Sequence, residues 1–92
     1  MADTSMIAAA KLALRLTTSA FDDEIYYLLD AAYKDLGVAG VEIPAGDDAL
    51  IKTAAITYVR LHFGSPADYD RLKASYDEQK AQLQTSSGYG LR

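Results

Sequence analysis

The segment Phe21 to Gly37, FDDEIYYLLDAAYKDLG, decides the fold class. Phe21, Ile25, Leu28, Leu29, Ala32 and Leu36 recur at steps of three and four, which lays them along one face of a helix. Asp22, Asp23 and Glu24 load its first turn with negative charge, and a hydroxyl of the preceding Thr17, Thr18, Ser19 cluster is placed to cap it. Gly37 is the residue type that takes the left-handed conformation closing a helix. Nothing in the segment alternates with the period of a strand.

The same periodicity extends outward in both directions. Upstream, Thr4 to Leu16 reads as a shorter amphipathic helix presenting Ile7, Ala10 and Leu14, with Met6 and Leu12 beside them and Lys11 and Arg15 in its last turns. Downstream, Asp47 to Phe63 is apolar on nearly every side through Leu50, Ile51, Ala54, Ala55, Ile56, Tyr58, Val59 and Leu61. This composition assigns it to the centre of a bundle, closed by Gly64. Between these helices, Val38 to Gly46 (VAGVEIPAG) combines turn-permitting glycines with a proline that blocks a helix, a loop of the length that often carries function.

A fourth helix is predicted from Pro66 to Thr85, with Ser65 as its cap and a length of roughly 30 Å at about 1.5 Å per residue. Tyr69, Leu72, Tyr76, Lys80 and Leu83 share one face, and Asp70, Arg71, Lys73, Asp77, Glu78, Gln79, Gln82 and Gln84 cover the rest. So narrow an apolar stripe predicts a seam left open for a partner. The chain is thus expected to be all-α: a small four-helix bundle over residues 1–85 with a long C-terminal helix, then a flexible tail over residues 86–92.

Composition narrows the function classes. Ninety-two residues bury a modest core, so association is expected to add stability. There are no cysteines, hence no disulfide and no thiolate metal site. The longest wholly apolar run, Met6 to Ala10, falls far short of the roughly 20 residues that span a bilayer, so no membrane role is expected. A net charge of −4 repels phosphate backbones and argues against a protein built to grip nucleic acid.

The search for chemistry returns helix ends. His62 is the only histidine and sits where it complements a helix C-terminus. The acidic groups Asp22-Asp23-Glu24 and Asp47-Asp48 fall at helix starts, which accounts for them without metal or acid–base work. No phosphate loop, nucleophile elbow or metal-ligand spacing occurs. No enzyme, cofactor or metal is expected.

Seven of the nine aromatic residues are tyrosines, which join a large contact area to a polar tip and favour interfaces. Tyr26, Tyr27 and Tyr33 lie off the apolar face of the second helix. Tyr26, Tyr27 and Tyr69 are the expected subunit-interface residues, and Tyr89, flanked by Gly88 and Gly90, is an expected docking anchor.

Three segments carry a resemblance: KLALRLTTSAFDDEI (Lys11 to Ile25), YVRLHFG (Tyr58 to Gly64) and LKASYDEQKAQLQTSSGYG (Leu72 to Gly90). In order and spacing they resemble the small head-tail connector proteins of tailed bacteriophages and prophages, also called adaptors or DNA-packaging connectors. The resemblance implies a homo-oligomeric ring, a dodecamer in the virion, seated beneath the portal protein at the head-tail interface. It further implies assembly from subunits made in the host bacterial cytoplasm, a lumen that passes DNA without sequence-specific binding, and a surface for a tail-completion or stopper protein. Portal binding would fall to Leu72, Tyr76, Leu83 and Tyr89. The residues agree with a ring, because a closed head-to-tail assembly needs two different patches per subunit, and an acidic subunit suits a conduit through which DNA slides.

Two other readings share the size and helix count. A small helical DNA-binding regulator requires a basic recognition helix, and the third helix offers only Lys52 and Arg60. A small protein-interaction module needs the same features as a connector.

Overall fold

The computed structural model describes residues 4–38, 49–64 and 66–85. These form four helices and no strand: α1 (Thr4–Leu14), α2 (Asp22–Val38), α3 (Ala49–His62) and α4 (Tyr69–Thr85). Of the expected loop Val38 to Gly46, Val38 is the last residue of α2; residues 39–46, the acidic pair Asp47-Asp48, the cap Ser65 and the tail 86–92 lie outside the described residues.

Local chemistry sets the helix ends. α1 stops two residues before the predicted Leu16, where Arg15 adopts a left-handed φ of 62°. The Arg15 amide donates to the Leu12 carbonyl at 3.1 Å and the Leu16 amide to the Lys11 carbonyl at 2.9 Å. This pair of bonds is the Schellman closure, built here around an arginine where glycine is usual. Leu16 then turns inward onto the core, and Lys11 Nζ lies 3.0 Å from Asp22 Oδ1, tying the end of α1 to the start of α2.

The hydroxyl cluster before α2 acts one step earlier than predicted. Thr18 Oγ1 accepts from the Ala20 amide at 3.2 Å and shapes the turn, while the Phe21 carbonyl accepts the first helical bond, from Ile25, at 2.9 Å. Gly37 does not close α2. It keeps an ordinary helical φ, and the helix continues through Val38. Gly64, at φ 65°, does take the left-handed conformation expected after α3. α4 begins at Tyr69 rather than Pro66, with the Asp68 carbonyl accepting from Leu72 at 2.9 Å.

α3 is the central helix, as its all-round apolar composition predicts. On one side Ala55 and Val59 join Met6 and Ala10 of α1 and Ile25, Leu29 and Ala32 of α2. On the other, Ile51, Ala54 and Leu61 join Leu36 of α2 and Leu72, Tyr76 and Leu83 of α4. Tyr33 and Tyr58 are half-buried and touch both groups, so the two clusters share a wall. The Phe21 and Phe63 rings meet edge-on at 5.5 Å, joining the start of α2 to the end of α3, and Leu50 faces the same groove as Leu83, joining the start of α3 to the end of α4. α2, α3 and α4 therefore run alternately up and down.

Two expectations are corrected here. The seam of α4 is not left open: Leu72, Tyr76 and Leu83 are each 3% exposed. A narrow stripe is enough because α3 is apolar on two faces and offers the second one to α4. Conversely, Leu50, counted among the apolar residues of the central helix, is 58% exposed, and Leu12, expected beside the apolar face of the first helix, is 75% exposed.

Candidate interaction surface

The polar contacts inside the bundle converge on Asp35. Its Oδ2 accepts from the Tyr76 hydroxyl at 2.6 Å and from Lys80 Nζ at 3.1 Å, so one carboxylate of α2 holds two side chains one turn apart on α4. Lys80 also lies 5.2 Å from the centroid of the Tyr76 ring. Tyr58 of α3 meets Tyr76 edge-on at 5.3 Å and His62 at 4.2 Å. Every group in this bracket has an opposite charge, a hydrogen bond or a ring against it.

The electrostatics follow from those contacts. Burial pushes the Asp35 carboxyl up, but the hydrogen bonds from Tyr76 and Lys80 and the charges of Lys80 and His62 outweigh it and hold the group below its ordinary value. Burial pushes the Tyr76 phenol well above its ordinary value, reinforced by its bond to Asp35. Tyr58 is raised for the same reasons, burial first and the Asp35 charge second. The arrangement keeps Asp35 ionised and Tyr76 neutral, which is the pairing that locks α4 in place.

The outward surface is aromatic at one end of the bundle. Tyr26 and Tyr27 pack edge-on at 5.5 Å near the start of α2, and Tyr27 is 68% exposed. Phe21, Tyr26 and Tyr69 are exposed as well, Tyr69 at the start of α4. At the opposite end, where α2 finishes and α3 begins, Val38 and Leu50 stand out. Apolar contact area is thus offered at two different places.

Of the residues expected in interfaces, Tyr26, Tyr27 and Tyr69 are accessible. Leu72, Tyr76 and Leu83, expected to meet a portal, are instead consumed by the subunit's own core, and Tyr89 lies outside the described residues. The Asp35 bracket was missed from sequence although its signal was present. Lys80 interrupts an otherwise apolar stripe, and a cation in such a place requires an acid opposite. Surface pairs account for other charges, including Arg71 with Asp68 and Lys73 with Asp77 at 2.9 Å. Among the described residues no three His, Asp or Glu side chains gather where they could hold a metal ion, and no helix is long and apolar enough to cross a membrane.

A sealed helical core with exposed tyrosines defines a small all-α protein suited to packing against other proteins. A family model described as phage connector protein matches residues 6–90, and the chain belongs to that family. It is accordingly a connector-type structural protein of a bacteriophage, virion-associated, whose neighbours are other head and tail proteins. No curated protein and no solved structure matches the chain.

Proposed function

We propose that this protein is the head-tail adaptor subunit: copies form a ring beneath the portal, extend the DNA channel and present a docking surface to a tail-completion or stopper protein. Membership of the phage connector family, over residues 6–90, is the observation that carries this reading. The exposed apolar residues support it. A head-to-tail ring joins two unlike patches, and the Tyr26–Tyr27 pair with Tyr69 and the Val38–Leu50 end supply candidates for each. Because Leu72, Tyr76 and Leu83 are committed internally, portal contact falls to exposed side chains and to the 86–92 tail with Tyr89. The ring is dodecameric, it acts without catalysis or cofactor, and its lumen passes DNA without reading sequence, as the net charge of −4 favours.

The test is to mix the purified chain with purified portal rings and image the product by electron microscopy. A ring of added density coaxial with the portal is the expected result. Folded protein that leaves the portal bare at high micromolar concentration overturns the adaptor role, leaving connector family membership intact.

A further inference from the structure

Charge in this bundle is separated by helix. α3 carries Lys52 and Arg60 and no acid, whereas α2 carries Asp22, Asp23, Glu24, Asp30 and Asp35 against the single cation Lys34. The fold itself uses part of the α2 charge, since Asp22 is held by Lys11 and Asp35 by Lys80. Asp23, Glu24 and Asp30 form no ion pair with any described residue, and neither does Arg60.

These charges lie on two strips. Asp23, Tyr27 and Asp30 follow one another at steps of four and three on the face of α2 opposite the buried Ile25, Leu29, Ala32 and Leu36, and the central Tyr27 is 68% exposed. Lys52, Ile56 and Arg60 follow at steps of four on the outward face of α3, all three half-buried, with exposed Thr53 beside them. Acid, ring and acid over about 10 Å are thus complementary to cation, aliphatic and cation over about 12 Å. Within the subunit α2 and α3 meet through their other faces, Ile25, Leu29 and Ala32 with Ala55 and Val59, and Leu36 with Ile51 and Ala54. The two strips therefore point out of the subunit in opposite directions. Complementary patches so placed cannot both be satisfied in a two-fold dimer; they join copies head to tail.

We infer that the strip of Asp23, Tyr27 and Asp30 in one copy docks on the strip of Lys52, Ile56 and Arg60 in a second copy, with Asp23 against Arg60 and the Tyr27 ring over Ile56. The inference rests on the ring reading and gives that ring its subunit contact. Neighbours in a large ring differ little in orientation, so α2 of one copy meets α3 of the next in the same antiparallel sense as within its own subunit. That sense brings Asp23 and Glu24, at the start of α2, to Arg60 near the end of α3. It also sets the positive end of the α2 dipole beside the negative end of α3.

Reversing the charges tests the contact, read by sedimentation of the full chain under conditions where the parent assembles, in solution or on portal rings. Arg60→Glu sets acid against acid and Asp23→Arg sets cation against cation, so each alone should associate about tenfold more weakly than the parent, or worse. Asp23→Asn should show a smaller loss of the same kind, and all three variants should melt within a few degrees of the parent. Mixing Arg60→Glu with Asp23→Arg should restore assembly, because every contact in an alternating array again joins opposite charges. Parent-like association of both reversed variants overturns this contact and leaves the ring reading standing, as does a mixture that assembles no better than its components. Restoration by Asp30→Arg but not by Asp23→Arg overturns the antiparallel register. A parent that assembles neither in solution nor on portal rings overturns the inference and the ring reading together.

Discussion

The Tyr76 hydroxyl donates to Asp35 Oδ2 at 2.6 Å across a separation of 41 residues, fastening the last helix to the second through a carboxylate that Lys80 also holds. Tyr76 is almost wholly buried and Asp35 is half-buried, so the two ends of the bond are unequal. Removing Asp35 strands a buried hydroxyl. Removing the hydroxyl leaves the acid with Lys80 and water.

Asp35→Ala is therefore expected to cost about 1 to 3 kcal/mol and Tyr76→Phe only about 1 kcal/mol, from the penalty for an unsatisfied buried group against the net value of one bond. Chemical denaturation of both single variants and the double variant checks this. Equal losses for the two single changes would mean that the Tyr76 hydroxyl is not stranded when Asp35 is removed.

The bracket also predicts a pH dependence of stability. The folded-state value of Asp35 is lowered, so its contribution is present above the unfolded value near 4 and is lost as pH falls through the folded value. Tyr76 is raised, so its contribution is present below the ordinary phenol value near 10 and fades as pH rises beyond it. Denaturation midpoints should fall below about pH 4 and above about pH 10, and Tyr76→Phe should flatten the alkaline limb. An alkaline limb unchanged in that variant would assign it to other groups.

The three helix-end positions separate conformation from contact. Gly37 is helical and a Cβ there meets nothing within 4 Å, so Gly37→Ala should stabilise the protein by about 0.5 to 1 kcal/mol. Gly64 has equally open surroundings but a φ of 65°, so Gly64→Ala should destabilise by about 1 kcal/mol. Arg15→Gly relieves a left-handed arginine and should stabilise by a few tenths to about 1 kcal/mol. Thermal melts in which Gly64→Ala stabilises, or either of the other two changes destabilises, contradict the assigned backbone conformations.

Core truncations should follow burial rather than hydrophobicity. Leu29→Ala, at a fully buried site, is expected to cost about 2 to 4 kcal/mol, and Leu28→Ala next to it distinctly less. Equal melting temperatures for these two variants would misplace the α2 face.

Assembly should respond in the opposite pattern. Tyr27→Ser removes exposed surface, so its melting temperature should stay within a few degrees of the parent, while sedimentation at high concentration should show fewer oligomers. Undiminished oligomers in Tyr27→Ser would move the subunit contact elsewhere.

Much of this architecture was legible in the chain because helical period is a local property. The spacing of Ile25, Leu29, Ala32 and Leu36 gives α2 its buried face, and the apolar perimeter of α3 gives its central place. What escaped were relations between helices. The stripe of α4 reads as open when counted on its own, since nothing local reveals that α3 keeps a second face for it. The ending at Arg15 escaped because its left-handed φ is imposed by Leu16 turning into the core, against the preference of arginine itself. Leu50 reads as core by type, yet it sits on the first turn of α3, where the neighbouring groove leaves it uncovered.

The division of the core into two clusters that meet at α3 has a mechanical consequence. Tension applied at the C-terminal end enters at Thr85 and falls first on the cluster that α4 helps to build; Met6, Ala10, Ile25 and Leu29 belong to the other. Under such a load α4 yields like a zipper, with Leu83 giving first, the Asp35 clasp on Lys80 and Tyr76 next and Leu72 last, while α1, α2 and α3 keep their own packed cluster behind it.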